Sequence, residues 1–261
     1  MSKKSTTYFL LGVIILLASC KKDKPATLYM GYDYFPSKIG HWVIYNVDSI
    51  SFNPSLACTC GSDTFNYWVK DVIDSFYTDN SGIRTQVIVR YKGPVGGATW
   101  TYQKTYTANL TTTEATRTED GVKYVKLAFP VALNATWNGS PFNPLPDDYF
   151  PWTDTVFTYT SVNSPLTVGG SYFDSTLTVL QDNENGLLFH RLYTEEYAVN
   201  VGRIYKQIIE IDANTLILGI DPNYGIDSLY VNSDYNALML QGKLTQGSTL
   251  YTETYISSGN Q

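Results

Sequence analysis

The sequence is poor in the side chains that most often carry chemistry. Its 261 residues include three Cys, two His and three Met, and only 16 % are charged. Zinc wants four ligands, and only His41 and His190, from distant segments, could join the cysteines. Basic excess is missing too. Lys and Arg total 18 against 24 Asp and Glu, a formal charge of −6, which excludes the phosphate backbone of a nucleic acid as partner. No G-x-S-x-G elbow, P-loop or dinucleotide fingerprint is present, so no cofactor is expected. After the first twenty residues no stretch is long and apolar enough to cross a membrane. No window has a convincing 3.6-residue period. What the chain does have is 43 % apolar and 15 % aromatic residues, too much of both for a disordered chain.

The N-terminus reads MSKKSTTYFLLGVIILLASC. Lys3 and Lys4 are followed by a 12-residue apolar run, Tyr8 to Ser19. A spanning helix needs about 20 apolar residues, so this is the core of a signal peptide. Leu17-Ala18-Ser19-Cys20 resembles the bacterial lipobox. That resemblance implies cleavage between Ser19 and Cys20 and lipidation, including palmitate, on Cys20. The thiol is the nucleophile, and small residues before it let the protease seat the chain. One acyl chain anchors marginally and several anchor stably.

These features divide the chain into a leader (1–19), a lipidated polar tether (20–27) and a single β domain (28–261). The leader removes two Lys and no acid, so the mature chain carries −8. The expected location is the outer membrane of a cell envelope. Which face it occupies is open, because the tether has one Asp among three Lys. Bacteroidetes lipoproteins bound for the surface carry an acidic patch there.

Period-two alternation dominates the rest. Thr85, Val87, Val89 and Tyr91 alternate with Arg84, Gln86, Ile88 and Arg90. Phe173, Ser175, Leu177 and Val179 alternate with Tyr172, Asp174, Thr176 and Thr178. Such alternation sends one face to a core and the other to water. Turn clusters separate the runs, among them Asn80-Ser81-Gly82, Gly93-Pro94-Val95-Gly96-Gly97 and Asn183-Glu184-Asn185-Gly186. Asp234 to Lys243 is the one tolerable helix candidate, and it reads equally as strand. The reading is an all-β antiparallel meander of ten to twelve strands, as a curled sheet, sandwich or open barrel. A Pro-rich loop near 141–152 separates the two halves.

Cys58 and Cys60 form a C-x-C pair. In an oxidising compartment a local disulfide is the simplest outcome, with free thiols or a redox role open beside it. His41 and His190 read as structural. Calcium ligand spacing fails at both Asp182–Gly186 and Asp221–Asp227, where Gly falls at position 5 instead of 6. Glu195 and Glu196 are strand neighbours on opposite faces, so they cannot form a catalytic carboxyl pair by themselves. Asp147 and Asp148 lie in the Pro-rich loop. Asp-Ser/Thr pairs followed by an aliphatic residue or Thr are similar to the Bacteroidetes O-glycosylation pattern. They make Ser49, Thr155, Ser175 and Ser228 candidate acceptors.

Three segments together resemble a group of uncharacterised Bacteroidetes all-β lipoproteins: Tyr34-Phe35-Pro36 through Gly40-His41-Trp42 to Ile50, Ala135-Thr136-Trp137-Asn138-Gly139, and Glu196-Tyr197-Ala198 through Gly202 to Lys206. The resemblance implies an antiparallel β fold and supplies no catalytic residues. Gly40 is read as a tight strand entry and Trp42 as buried area. Gly202 is read as a bulge or close packing within one strand, 197–211.

The expected role is a non-catalytic binding or structural envelope module, with a glycan, apolar ligand or protein as partner. The alternative is an envelope hydrolase or redox enzyme built on carboxylates or on Cys58 and Cys60.

Overall fold

A computed structural model describes residues 28–54, 60–142, 156–185, 189–212 and 248–260. Among them the chain forms twelve strands: β1 (His41–Pro54), β2 (Cys60–Thr78), β3 (Arg84–Gly93), β4 (Thr101–Leu110), β5 (Glu114–Glu119), β6 (Val122–Ala128), β7 (Thr136–Asn138), β8 (Val156–Val168), β9 (Ser171–Asn185), β10 (Phe189–Ala198), β11 (Gly202–Asp212) and β12 (Thr249–Asn260). A short 3-10 turn, Tyr32–Tyr34, precedes them. The leader, the tether, most of the Pro-rich loop and the segment 234–243 lie outside the described residues.

All twelve strands belong to one antiparallel sheet, ordered β6-β5-β4-β3-β2-β1-β12-β11-β10-β9-β8-β7. Two six-stranded meanders are thus joined where β1 pairs with β12, from His41 opposite Asn260 to Ser51 opposite Thr249. The two free edges, β6 and β7, then meet. Val125 N donates to Gly139 O at 2.8 Å, and Trp137 Nε1 donates to Val125 O at 2.8 Å. Tyr159 adds a clamp, its hydroxyl donating to Ala128 O and accepting from Ala128 N. The sheet is thereby a nearly closed barrel, and closure disposes of edges that would otherwise invite pairing.

The lumen is filled at one end. Ile73, Ile88, Tyr106, Leu127, Phe157, Tyr159, Leu177, Val179 and Tyr197 come from seven strands and pack into one cluster. The segment before β1 plugs it: Tyr34 and Phe35 are buried in the same cluster, and Asn200 N bonds Asp33 O at 2.8 Å. A second cluster forms where the β8–β9 hairpin folds over β11 and β12, with Val168, Ala198 and Ile204 against Phe173 and Tyr255. Gly169 is required there, at φ 57°, because a Cβ would stand 1.9 Å from Tyr255 O.

Three local expectations are revised. Residues 197–211 are not one strand. The chain turns at 199–201, so Ala198 ends β10 and Gly202 opens β11 at φ 90°. Close packing does hold there, since a Cβ on Gly202 would lie 3.0 Å from Pro36 Cδ. The turn expected from Asn183 starts later, because β9 continues to Asn185 opposite His190. Trp42 is half-buried under the Lys70 ammonium (4.9 Å) and is not a core residue.

Candidate functional site

The alternation on β3 is real, but its polar set is the one that turns inward. Gln86, Ile88 and Arg90 are buried while Val87 and Val89 are only partly so. The same phase operates on the neighbours. Asp71 follows Val69 and precedes Ile73 on β2, all three buried. Glu195 and Tyr197 share a face of β10, and Glu253 is buried on β12. Above the apolar end, the lumen therefore carries a belt of ionised side chains from seven strands.

Arg90 grips Asp71 through two bonds (2.6 and 2.8 Å) and reaches Glu253 Oε1 at 2.6 Å. Arg117 joins Asp71 from β5 at 2.9 Å. Arg203 on β11 bonds Glu253 and lies 3.2 Å from Glu195 Oε1. Lys126 on β6 reaches the same Glu195 oxygen at 3.1 Å. Gln181 Nε2 and the Tyr197 hydroxyl occupy Glu195 Oε2 at 2.8 and 2.7 Å. Glu119 Oε2 takes Lys206 at 3.2 Å and Lys126 at 3.5 Å. The Tyr106 ring lies under the guanidinium of Arg117 at 4.2 Å, an attraction between cation and ring face.

Electrostatics follow from the pairing. Burial pushes the Glu195 carboxyl up, but Lys126 and Arg203 outweigh it and hold it at about 2, below its ordinary 4.5. Burial is likewise outweighed at Glu253 by Arg203 and Arg90, at Glu119 by Lys126 and Lys206, and at Asp71 by Arg90 and Arg117, so all three stay ionised. Lys206 behaves differently. Burial lowers its ammonium, and Glu119 fails to offset that against Lys126 and Arg203. These carboxylates accept hydrogen bonds and have no proton to donate near neutral pH.

Two cavities flank the belt. The outer one, about 370 Å³, opens at the unfilled end and is walled by Tyr67, Tyr106 and Tyr251 with Lys104, Lys206 and Glu119 among its polar groups. Lys92 caps the Tyr67 ring at 3.7 Å, and Lys104 pairs with Asp120 at 2.9 Å. The inner one, about 70 Å³, lies between belt and apolar end.

The residues singled out from sequence are scattered relative to this site. Ser19, Cys20, Cys58, Thr155 and Ser228 lie outside the described residues, as do Asp147 and Asp148. Cys60 opens β2. Ser49 is half-buried on β1 opposite Phe65 and Tyr251. Ser175 Oγ is engaged by the Tyr34 hydroxyl at 2.8 Å. His41 ties β1 to the β10–β11 turn through Val201 O at 2.9 Å. Of the carboxylates considered from sequence that lie among the described residues, only Glu195 enters the belt. Glu196 on the other face is raised by burial. Among the described residues no group of three His, Cys, Asp or Glu could hold a metal. The belt itself escaped sequence reasoning. Its trace was charged residues standing in phase with apolar ones, as at Val69-x-Asp71-x-Ile73 and Ile88-x-Arg90.

No family model matches the chain, and no curated protein matches it significantly. Among solved structures, a Bacteroides fragilis protein provisionally described as exported, with a YmcC-like fold, aligns over 87 % of this chain and 98 % of its own. Identity is 11 % and the TM-score 0.34, a likeness too low to carry an argument. What fold and site define on their own is an antiparallel barrel with an apolar end, an ionised belt and an open polar mouth.

Proposed function

We propose that this chain is a lipid-anchored envelope protein whose barrel is a non-catalytic binding module, taking a hydroxyl-rich ligand such as a glycan fragment at its mouth. The observation that carries the reading is the outer cavity. Its 370 Å³ lies in the range of small-molecule sites, and tyrosines and charges of both signs wall it. Aromatic faces stack on sugar rings, while paired carboxylates and ammonium groups accept from and donate to hydroxyls. The non-catalytic part rests on the belt, whose carboxylates are held ionised by their cations and are poor general acids. The anchor rests on Leu17-Ala18-Ser19-Cys20, and kinship with the Bacteroidetes lipoprotein group on the three sequence segments given above.

Two measurements test it. Radiolabelled palmitate fed to cells should enter the wild-type chain and not Cys20→Ser; equal labelling of both removes the anchor. In a thermal-shift screen of the full chain, at least one oligosaccharide should raise the melting temperature, and Tyr251→Ala should abolish the shift. No shift with any saccharide removes the ligand class.

A further inference from the structure

The inner cavity is a different place from the mouth, and its polar groups pose a different problem. Gln86, Arg117 and Arg203 all contribute to its wall, beside Ile73, Ile88 and Val43. Gln86 is 1 % exposed, yet neither its Nε2 nor its Oε1 has a hydrogen-bond partner among the described residues. Arg203 Nε has none either. Arg117 Nε stands 3.3 Å from Glu119 Oε1 without the alignment of a hydrogen bond. Three buried donors and one acceptor are thus unbonded around one small space. Native interiors rarely leave such groups unmatched.

Charge points the same way. The ion-paired belt joins Arg90, Arg117, Lys126, Arg203 and Lys206 to Asp71, Glu119, Glu195 and Glu253, five cations to four carboxylates. Lys206 is part-buried and faces the mouth, but the inner wall itself holds two guanidinium groups, Arg117 and Arg203, against one carboxylate, Asp71. Uncompensated buried charge is costly, and one monovalent anion would balance that local surplus. Water would bond Gln86 but leave the surplus. A carboxylate accepts hydrogen bonds only, so it fits an excess of donors. The rest of the wall is mainly apolar, its other polar members being His41, two tyrosines and Asp71, whose carboxylate is already held by Arg90 and Arg117. The volume is roughly half that of an engineered 150 Å³ cavity that binds benzene. Only a few heavy atoms fit.

We propose that the inner cavity binds a short-chain aliphatic carboxylate, its oxygens received by Gln86, Arg117 and Arg203 and its methyl or ethyl tail by Val43, Ile73 and Ile88. This site is independent of the ligand proposed for the mouth.

The probe is ¹³C-labelled propionate titrated into the full chain and followed by NMR, with propionamide as its neutral isostere. Saturable propionate binding is expected, with propionamide weaker by about tenfold or more, a difference of about 1.4 kcal/mol. Gln86→Met should weaken propionate by a similar factor. Ile88→Phe, which fills the cavity, should abolish binding. Lys104→Met, at the mouth, should leave binding unchanged. Absence of saturable binding to the wild-type chain overturns the proposal, as that result means water only. Equal binding of propionamide, indifference to Gln86→Met, or dependence on Lys104 overturns it as well. The wild-type titration and Gln86→Met decide the matter even if Ile88→Phe does not fold.

Discussion

The two ends of the lumen solve the same problem of filling a wide barrel in opposite ways. At the plugged end, the side chains of Tyr34, Leu127, Tyr159 and Leu177 are fully buried and held by contact alone, apart from four hydrogen bonds of the two tyrosine hydroxyls. Such packing is non-directional and tolerates substitutions of similar volume. In the belt, each carboxylate meets two or more donors from other strands. Removing one partner strands another. The apolar end thus sets how much surface leaves water, whereas the belt sets which strands face one another. It also ties the first meander (Asp71, Arg90, Arg117, Lys126) to the second (Glu195, Arg203, Glu253) across the lumen.

Acid should separate the two ends most sharply. The belt carboxylates have folded values below their ordinary ones, so the stability they contribute is complete above the unfolded value. It is lost as pH falls through the folded one. For Glu195 that window runs from 4.5 down to about 2, and Glu253, Glu119 and Asp71 move in the same direction. The urea midpoint should therefore be flat from neutral pH to about pH 5 and fall steeply below. A midpoint indifferent to pH down to 3 would mean that these groups are not ionised partners. Next in size is Glu253→Gln, which leaves the Arg90 and Arg203 guanidinium groups facing an amide. Breaking a buried pair from one side costs about 3–5 kcal/mol. Denaturant unfolding at pH 7 measures it, and a loss under 1 kcal/mol would show that the pairs are solvated.

How far the sequence foretold this contrast depends on the strand. On β9 the apolar phase Leu177-x-Val179 faces the core, as periodicity predicts. On β3 the same rule fails to choose, because both phases hold apolar residues and the inward one also holds Gln86 and Arg90. Polarity marks the water side of an open sheet. A barrel has a second interior surface, on which charges from several strands satisfy one another, and a pattern read one strand at a time cannot see those partners. Closure was similarly hidden. Trp137 sits on a three-residue strand whose role appears only when Val125 arrives beside it from β6. The β10–β11 turn was masked by the apolar residues on either side of it, Tyr197-Ala198-Val199 and Val201, with Asn200 and Gly202 its visible signs. The lipobox and the C-x-C pair remain sequence observations.

Truncation at the apolar end sharpens the comparison from the other side. Leu177→Ala deletes a side chain with no exposure, and about 3 kcal/mol is expected, within the usual span for a core leucine. Unlike Glu253→Gln, this loss should be the same at pH 7 and pH 4, because no titrating group changes its partners. A pH-dependent Leu177→Ala would mean that the two ends are mechanically coupled.

The smallest effect belongs to the rim, and it is the control for the belt. Lys104 bonds Asp120 at 2.9 Å, much as belt residues bond theirs, but its side chain is 37 % exposed and that of Asp120 is 73 % exposed. Water screens both charges whether or not they pair, so an exposed bridge contributes about 0–1 kcal/mol. Lys104→Met should shift the urea midpoint barely at all, and raising the salt concentration should erase even that. The same geometry at Arg90 and Asp71, where both side chains are nearly inaccessible, should resist salt, since buried pairs are screened far less. If Lys104→Met cost as much as Glu253→Gln, distance would be governing these pairs and burial would not. The division of the lumen into belt and rim would then have no energetic meaning.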